Sequence, residues 1–379
     1  LSVVLIAALA ACGGGGSGGG DPVSSVAGGG GNNGGGGGNS GDNGSGGNGN
    51  DGGGSNPSTS TRFAYVASDF GNSVSAYTIE ADGTLKPIPG SPFRATYISE
   101  LTPWSIAVDP RGRFVYVANN HSNDVSVYTI KADGSLTTVD SRFAAGAAPR
   151  SVTVDPSGRF VYVANNGSND VSAYAIQANG SLTALGSFAT GSGPTSLAVD
   201  PNGKFVYVAN SSGISAYVIK ADGTLTALGS FGAGGGDSVT SGSIAVDPSG
   251  SFVYVANGGI SAYAIKTDGS LTAIGSFGTG ARSVAVDPSG RFVYVTGGSI
   301  STYAIAADGS LTAVGLPLSP PTGDSPMSVA VDPSGSFVYV VSWPYHVSAY
   351  AINTNGSLTA VGSPVSTDGY PRSIAIIAR

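Results

Sequence analysis

One unit is written repeatedly along this chain, and that repetition constrains the fold more than any other feature. It appears most fully as SVTVDPSGRFVYVANNGSNDVSAYAIQANGSLTALGS from Ser151. Its opening run recurs at Ser105, Ser151, Ser196, Ser243, Ser283, Ser328 and Ser373, spaced 40–47 residues apart. Self-similarity at that period marks an array of one supersecondary unit. Within each unit four short runs of alternating hydrophobicity are separated by turn signals, the pattern of four antiparallel strands.

Each run has its own character. The first (Ser283-Val-Ala-Val286) is small and β-branched, suited to a crowded innermost position. An Asp-Pro-Ser-Gly turn follows, in which Pro presets φ. In the second run Phe292 and Tyr294, two residues apart, share one face and are predicted to pack on the next unit. The third carries Tyr77, Tyr128, Tyr174, Tyr217, Tyr263, Tyr303 or Tyr350 and is predicted to enter a two-residue Asp-Gly or Asn-Gly hairpin turn, from Asp82-Gly83 through Asn355-Gly356. The fourth begins with a leucine, from Leu85 to Leu358.

The two ends fix how the array closes. Phe63-Ala-Tyr-Val66 is a second run with no first run before it, and Ser373-Ile-Ala-Ile376 is a first run with no second after it. Joined, they complete a seventh unit. An open solenoid would need capping repeats, which the sequence does not carry. The expectation is therefore an all-β, seven-bladed β-propeller of four-stranded antiparallel blades over residues 62–379. Its ring is closed by the C-terminal strand pairing with the N-terminal blade.

The repeated SxAVDPSGRFVYVAN and SAYxIxADGSLTxxG runs resemble those of the lactonase-type seven-bladed propellers, the 6-phosphogluconolactonase-like and YVTN-repeat proteins, over residues 62–379. The resemblance implies that fold and, as an activity, lactone hydrolysis. It also implies that the run opening a blade, often Gly-Pro-Arg-His in that family, sets Arg and His at the channel mouth. Here the matching stretches read Pro149-Arg150-Ser151, Ala281-Arg282-Ser283 and Pro371-Arg372-Ser373, keeping Arg and putting Ser where that pattern has His.

In such a ring the loops before the first strand and between the second and third open on one face. The residues before the first strand are Trp104, Arg150, Thr195, Gly242, Arg282, Met327 and Arg372. The other loops add Asp69, His121, Asp124, Asp170, Trp343, Tyr345 and His346. The candidate mouth is thus Arg150, Arg282, Arg372, Trp104, Asp69, His121, Trp343 and His346. Three converging guanidinium groups suit a carboxylate or phosphate, although an Arg at such a place can equally pair with a loop Asp. Trp343 and Tyr345 fit a sugar ring or a peptide. Asp124 and Asp170 recur in Ser-Asn-Asp-Val-Ser, which points to loop fixing. His121 and His346 are expected in blades far apart in the ring, each as a surface histidine. With neither a His pair at ligand spacing nor a Cys/His cluster, no metal or other cofactor is predicted.

The chain's other end reads as an address. Residues 1–12, LSVVLIAALAAC, form a short apolar run ending in small residues, as in a signal peptide. Leu9-Ala10-Ala11-Cys12 resembles the lipobox of bacterial lipoproteins. That implies a signal peptide over 1–11 without its n-region, a lipid on Cys12 and, with Gly13 next, outer-membrane sorting. From Gly13 to Gly54, 24 of 42 residues are Gly. Too little apolar surface is present there to offset ordering entropy, so residues 12–61 are expected to be a lipidated, disordered tether. The net charge is -7, and of 23 acidic residues 21 are Asp, most in the repeated turns. No basic patch exists, which argues against nucleic acid. The functional expectation is a monomeric cell-envelope lipoprotein serving as a binding or scaffold module. Its loop-lined face would meet a protein, peptide, glycan or anionic small molecule, and the membrane would be reached through the Cys12 lipid. The alternative is a lactonase acting on a sugar or other lactone.

Overall fold

The structure, a computed structural model, describes residues 60–94, 101–139, 142–232, 242–321 and 323–379. The leader, Cys12 and the Gly-rich tract lie outside the described residues. The described chain forms seven antiparallel sheets and no helix. Blade 3 shows the plan: Pro149–Val154, Phe160–Asn165, Asp170–Ile176 and Leu182–Ala189 pair in that order. The first strands of neighbouring blades line up around the axis. Pro371–Ala378 lies between the first strands of blade 7 (Ser325–Val331) and blade 2 (Pro103–Val108). It pairs with Arg62–Ser68 from Arg62↔Ala378 to Ser68↔Pro371, so blade 1 is built from both ends of the propeller.

Burial follows position in the blade. The second strand of blade 3 is buried at every residue because another blade lies on each side of it. The fourth strand, at the rim, reads mostly exposed or half-buried after its opening Leu182. The core is therefore a series of inter-blade seams. One of them joins Ala64, Val66 and Ile374 of blade 1 to Tyr339, Val341 and Val347 of blade 7.

The aromatic stripe holds those seams by hydrogen bonds as well as by area. In every blade the second-strand tyrosine donates its hydroxyl to the carbonyl of the turn glycine in the following blade. The seven bonds run from Tyr65→Gly134 at 2.9 Å to Tyr339→Gly83 at 2.8 Å across the closure, and the longest is Tyr116→Gly180 at 3.3 Å. The phenylalanine two residues earlier covers the same glycine: a Cβ on Gly134 would sit 2.4 Å from Phe63, and φ there is +82°. Both the contact and the backbone angle demand Gly.

That turn differs from the predicted two-residue hairpin. In blade 1 Gly83 N–H donates to Glu80 O at 3.0 Å, and Glu80 N–H donates to Thr84 O at 2.9 Å, leaving three residues in the loop. Of these, only Gly83 has positive φ, as in a type I turn with a G1 bulge. The Asp82 carboxylate instead accepts from the backbone and hydroxyl of Thr84, which a type I′ placement would not allow. The Asp-Pro-Ser-Gly turn works by a buried carboxylate: Asp155 Oδ1 accepts from the N–H groups of Arg159 and Phe160 at 2.7 and 2.6 Å.

The tyrosine ring makes the protein sensitive to alkali. Burial pushes the phenols of Tyr65, Tyr116, Tyr162, Tyr207, Tyr254, Tyr294 and Tyr339 well above the usual value, and that of Tyr77 up to about 12. Unfolded, they ionise near pH ~10. Below that pH both states keep the proton and nothing changes. Above it the unfolded chain loses protons that the folded one retains, so stability falls at up to ~1.4 kcal/mol per pH unit per tyrosine. Unfolding is expected to be cooperative within about two pH units above ~10, with phenolate absorbance and loss of sheet circular dichroism rising together. Phenolate appearing gradually while the dichroism holds would contradict this.

Candidate functional site

The loops expected to share a face do so. Pro149, opening the first strand, pairs with Asn165 at the end of the second, and Asn165 pairs with Asp170 at the start of the third. In four blades the first strand opens on a bulge: the pairing skips Trp104, Arg150, Met327 and Arg372 while registering the residues on either side. A bulge frees one residue from the ladder and re-aims its side chain. In these four blades the Pro-x-Ser opening thus frees one side chain from the ladder. In blades 4, 5 and 6 the ladder begins only at Ser196, Ser243 and Ser283, so Thr195, Gly242 and Arg282 precede it.

Three consecutive blades display Arg372, Trp104 and Arg150. The guanidinium carbon of Arg372 lies 4.3 Å from the Trp104 ring centroid, and that of Arg150 lies 5.3 Å from it. Both are at cation–π distance. The two arginines then differ. Arg372 donates to the buried Asp69 carboxylate through Nη2 at 2.5 Å and Nε at 3.0 Å. Arg150 has no carboxylate partner among the described residues. Its Nε–H and the indole Nε1–H of Trp104 are buried without an acceptor among the described residues. Burial, and next the like charge of Arg372, pull the Arg150 pKa below the usual guanidinium value. Buried N–H donors left in this state are costly unless an acceptor meets them.

The third arginine does not join them. Arg282 places Nη1 3.1 Å from Met327 Sδ, so two guanidinium groups rather than three meet at Trp104. Met327 fills the intervening blade.

His346 opens the third strand of blade 7 and pairs with Ser342, which pairs with Pro326 beside Met327. It therefore stands at the mouth end, one blade from Arg372. Its Nδ1 is 2.5 Å from Asp324 Oδ2. A carboxylate accepts, so Nδ1 donates to it; in a neutral imidazole held this way Nε2 presents a lone pair. His121 lies exposed on the blade 2 loop, its backbone N–H donating to Thr102 Oγ1 at 2.8 Å. Ring closure leaves only blade 1 between blades 7 and 2, which corrects the expectation that the two histidines lie far apart: sequence distance is not ring distance. Asp124 and Asp170 fix their loops as read, accepting from Asn119 at 2.7 Å and Asn165 at 2.6 Å, with Arg142 on the other Asp124 oxygen at 2.8 Å.

Around Tyr370, which precedes Pro371-Arg372, gather the rings of Phe70, Trp343 and Tyr345 at centroid distances of 4.7, 5.7 and 5.4 Å. Sequence reasoning had Trp343 and Tyr345 but missed Tyr370, Phe70 and Asp324. The one available signal was position: each sits in a mouth-face loop of blade 1 or 7. No cluster of three or more His, Cys, Asp or Glu side chains able to hold a metal ion occurs among the described residues.

Comparison with known proteins gives the same architecture. The family model described as lactonase, 7-bladed β-propeller, matches residues 56–187 and 175–282, together more than half of the chain. Among solved structures, a putative 6-phosphogluconolactonase from Bacteroides uniformis superposes with a TM-score of 0.70 at 19% identity, covering 84% of this chain and 100% of that one. A periplasmic gluconolactonase from Pseudomonas aeruginosa gives 0.69 at 19% identity, with 84% and 99% covered. A protein from Lactobacillus plantarum gives 0.71 at 18% identity, with 84% and 99% covered. At these identities the likeness is one of fold. No curated protein sequence matches the chain.

Proposed function

As the chain belongs to the lactonase family of seven-bladed β-propellers, we propose that it hydrolyses an anionic lactone at the mouth formed by Trp104, Arg150 and His346. The observation that carries this reading is the unpaired donor set. Among the described residues Arg150 meets no carboxylate, and its Nε–H and the Trp104 Nε1–H meet no acceptor. A carboxylate or phosphate on the substrate supplies what they lack, and a guanidinium binds either in a two-pronged fashion. Arg372, its charge balanced by Asp69, lies 4.3 Å from the centroid of the same Trp104 ring. His346, oriented by Asp324, is the group able to take a proton from water as it attacks the lactone carbonyl. The ring oxygen leaves with a proton, and a hydroxy acid results. The scaffold reading is set aside because family membership favours hydrolysis.

The test is turnover by the full chain of 6-phosphogluconolactone and uncharged gluconolactone. Arg150→Ala is expected to raise KM for the charged substrate by about 10- to 100-fold, the worth of one charge-assisted contact of ~1.5–3 kcal/mol. The uncharged one should change little. Hydrolysis no faster than the buffer blank for both would refute the proposal. The periplasmic relative, the residues 1–12 and Cys12 support placing this activity outside the cytoplasm on a lipid anchor, at the outer membrane. Metabolic labelling with a fatty acid, lost in Cys12→Ser, checks that placement.

A further inference from the structure

Two adjacent blades depart from the repeat at one place. Between the second and third strands, blades 3 to 6 carry only small or polar residues, such as Asn166-Gly167-Ser168 and Gly297-Gly298. At the same place blade 1 carries Phe70 and blade 7 carries Trp343 and Tyr345, and the loop joining these blades supplies Tyr370. The rings do not hide one another: Phe70 is 73% exposed, Trp343 46% and Tyr345 43%. These are three of the five large exposed hydrophobic side chains among the described residues. The other two, Leu228 and Leu316, stand singly on the rims of blades 4 and 6. A contiguous exposed patch with a polar rim is the mark of a binding surface.

Its chemistry narrows the occupant. The platform is aromatic throughout, and Tyr345 and Tyr370, whose ring centroids lie 5.4 Å apart, each carry a hydroxyl. Beside it the Asp368 carboxylate accepts from Ser73 Oγ at 3.0 Å and Arg94 Nη2 at 2.8 Å. Ring faces present negative π-density to C–H groups, while hydroxyls and the Asp368–Arg94 pair present donors and acceptors at the edge. A pyranose has the matching surfaces, an apolar C–H face and a hydroxyl edge. An anionic lipid surface would need unpaired basic residues, and Arg94 is already paired with Asp368. We propose that Phe70, Trp343, Tyr345 and Tyr370 form a stacking platform for a sugar ring of a neutral glycan. The platform borders the mouth, with Phe70 following Asp69 and Tyr345 preceding His346, and sugar stacking on it requires no catalysis.

Isothermal titration of the full chain with cellohexaose, chitohexaose and laminarihexaose tests this. Saturable binding to at least one is expected. Phe70→Ala and Trp343→Ala should each weaken it by about 2- to 10-fold, the worth of an aromatic contact. The double variant should abolish it, and Leu316→Ala should leave it intact. All these side chains are exposed, so unchanged melting temperatures will show that the fold persists. No binding to any of the three sugars, or binding that survives the double variant, would overturn the proposal. So would capture by phosphatidylglycerol vesicles without glycan binding.

Discussion

Deleting Pro371–Arg379 is expected to abolish cooperative folding of the ring. The strand supplies Ile374, Ile376 and Ile377, all at most 5% exposed, to the seams on both sides of blade 1. Burying three such side chains is worth ~5–9 kcal/mol at ~1.5–3 kcal/mol each. Whole domains are stable by only ~5–15 kcal/mol. The deletion also strips the ladder from one edge of Arg62–Ser68 and opens the mouth where Arg372 sits. Thermal melts by circular dichroism and limited proteolysis should show a broad, low transition and rapid cleavage. A truncated chain melting sharply at the intact protein's temperature would mean that the ring does not depend on its closing strand.

This closure was legible in the sequence because it needs only counting: a second run without a first at Phe63 and a first without a second at Ser373. The seven Tyr→Gly bonds were half legible. The stripe of Phe and Tyr announced a shared face, but the acceptor lies in another blade, on a turn whose geometry depends on one glycine angle. The site was less legible still. Pro-x-Ser signalled a strand opening, yet the bulge that re-aims Trp104, Arg150 and Arg372 arises from pairing with the second strand, which local composition does not encode. Asp69 meets Arg372, and Asp324 meets His346, across 303 and 22 residues. Nothing in the repeat marks those partners, because they sit in the loops where the repeat fails. Half of the aromatic platform, Trp343 and Tyr345, was legible, and the other half was not, since Phe70 and Tyr370 are joined only by closure.

The sharpest test of the proposed chemistry is His346→Ala, which should lower kcat for a hydrolysed lactone by ~100- to 10,000-fold, the usual contribution of a positioned base. KM should stay near its original value, because the anion is held by Arg150 and not by the imidazole. His346 is half-buried at a strand opening, with Nδ1 tied to Asp324, so its removal leaves the seams intact and the melting temperature should hardly move. A further readout separates a base from a structural role. Free imidazole should restore part of the variant's turnover, as it can enter the space the side chain vacates and take up the same proton. Asp324→Asn should fall between the two proteins, since an amide can orient the ring but stabilises the imidazolium poorly. If His346→Ala hydrolyses as fast as the wild type, water is activated elsewhere, and the His346–Asp324 pair serves only to anchor the blade 7 loop.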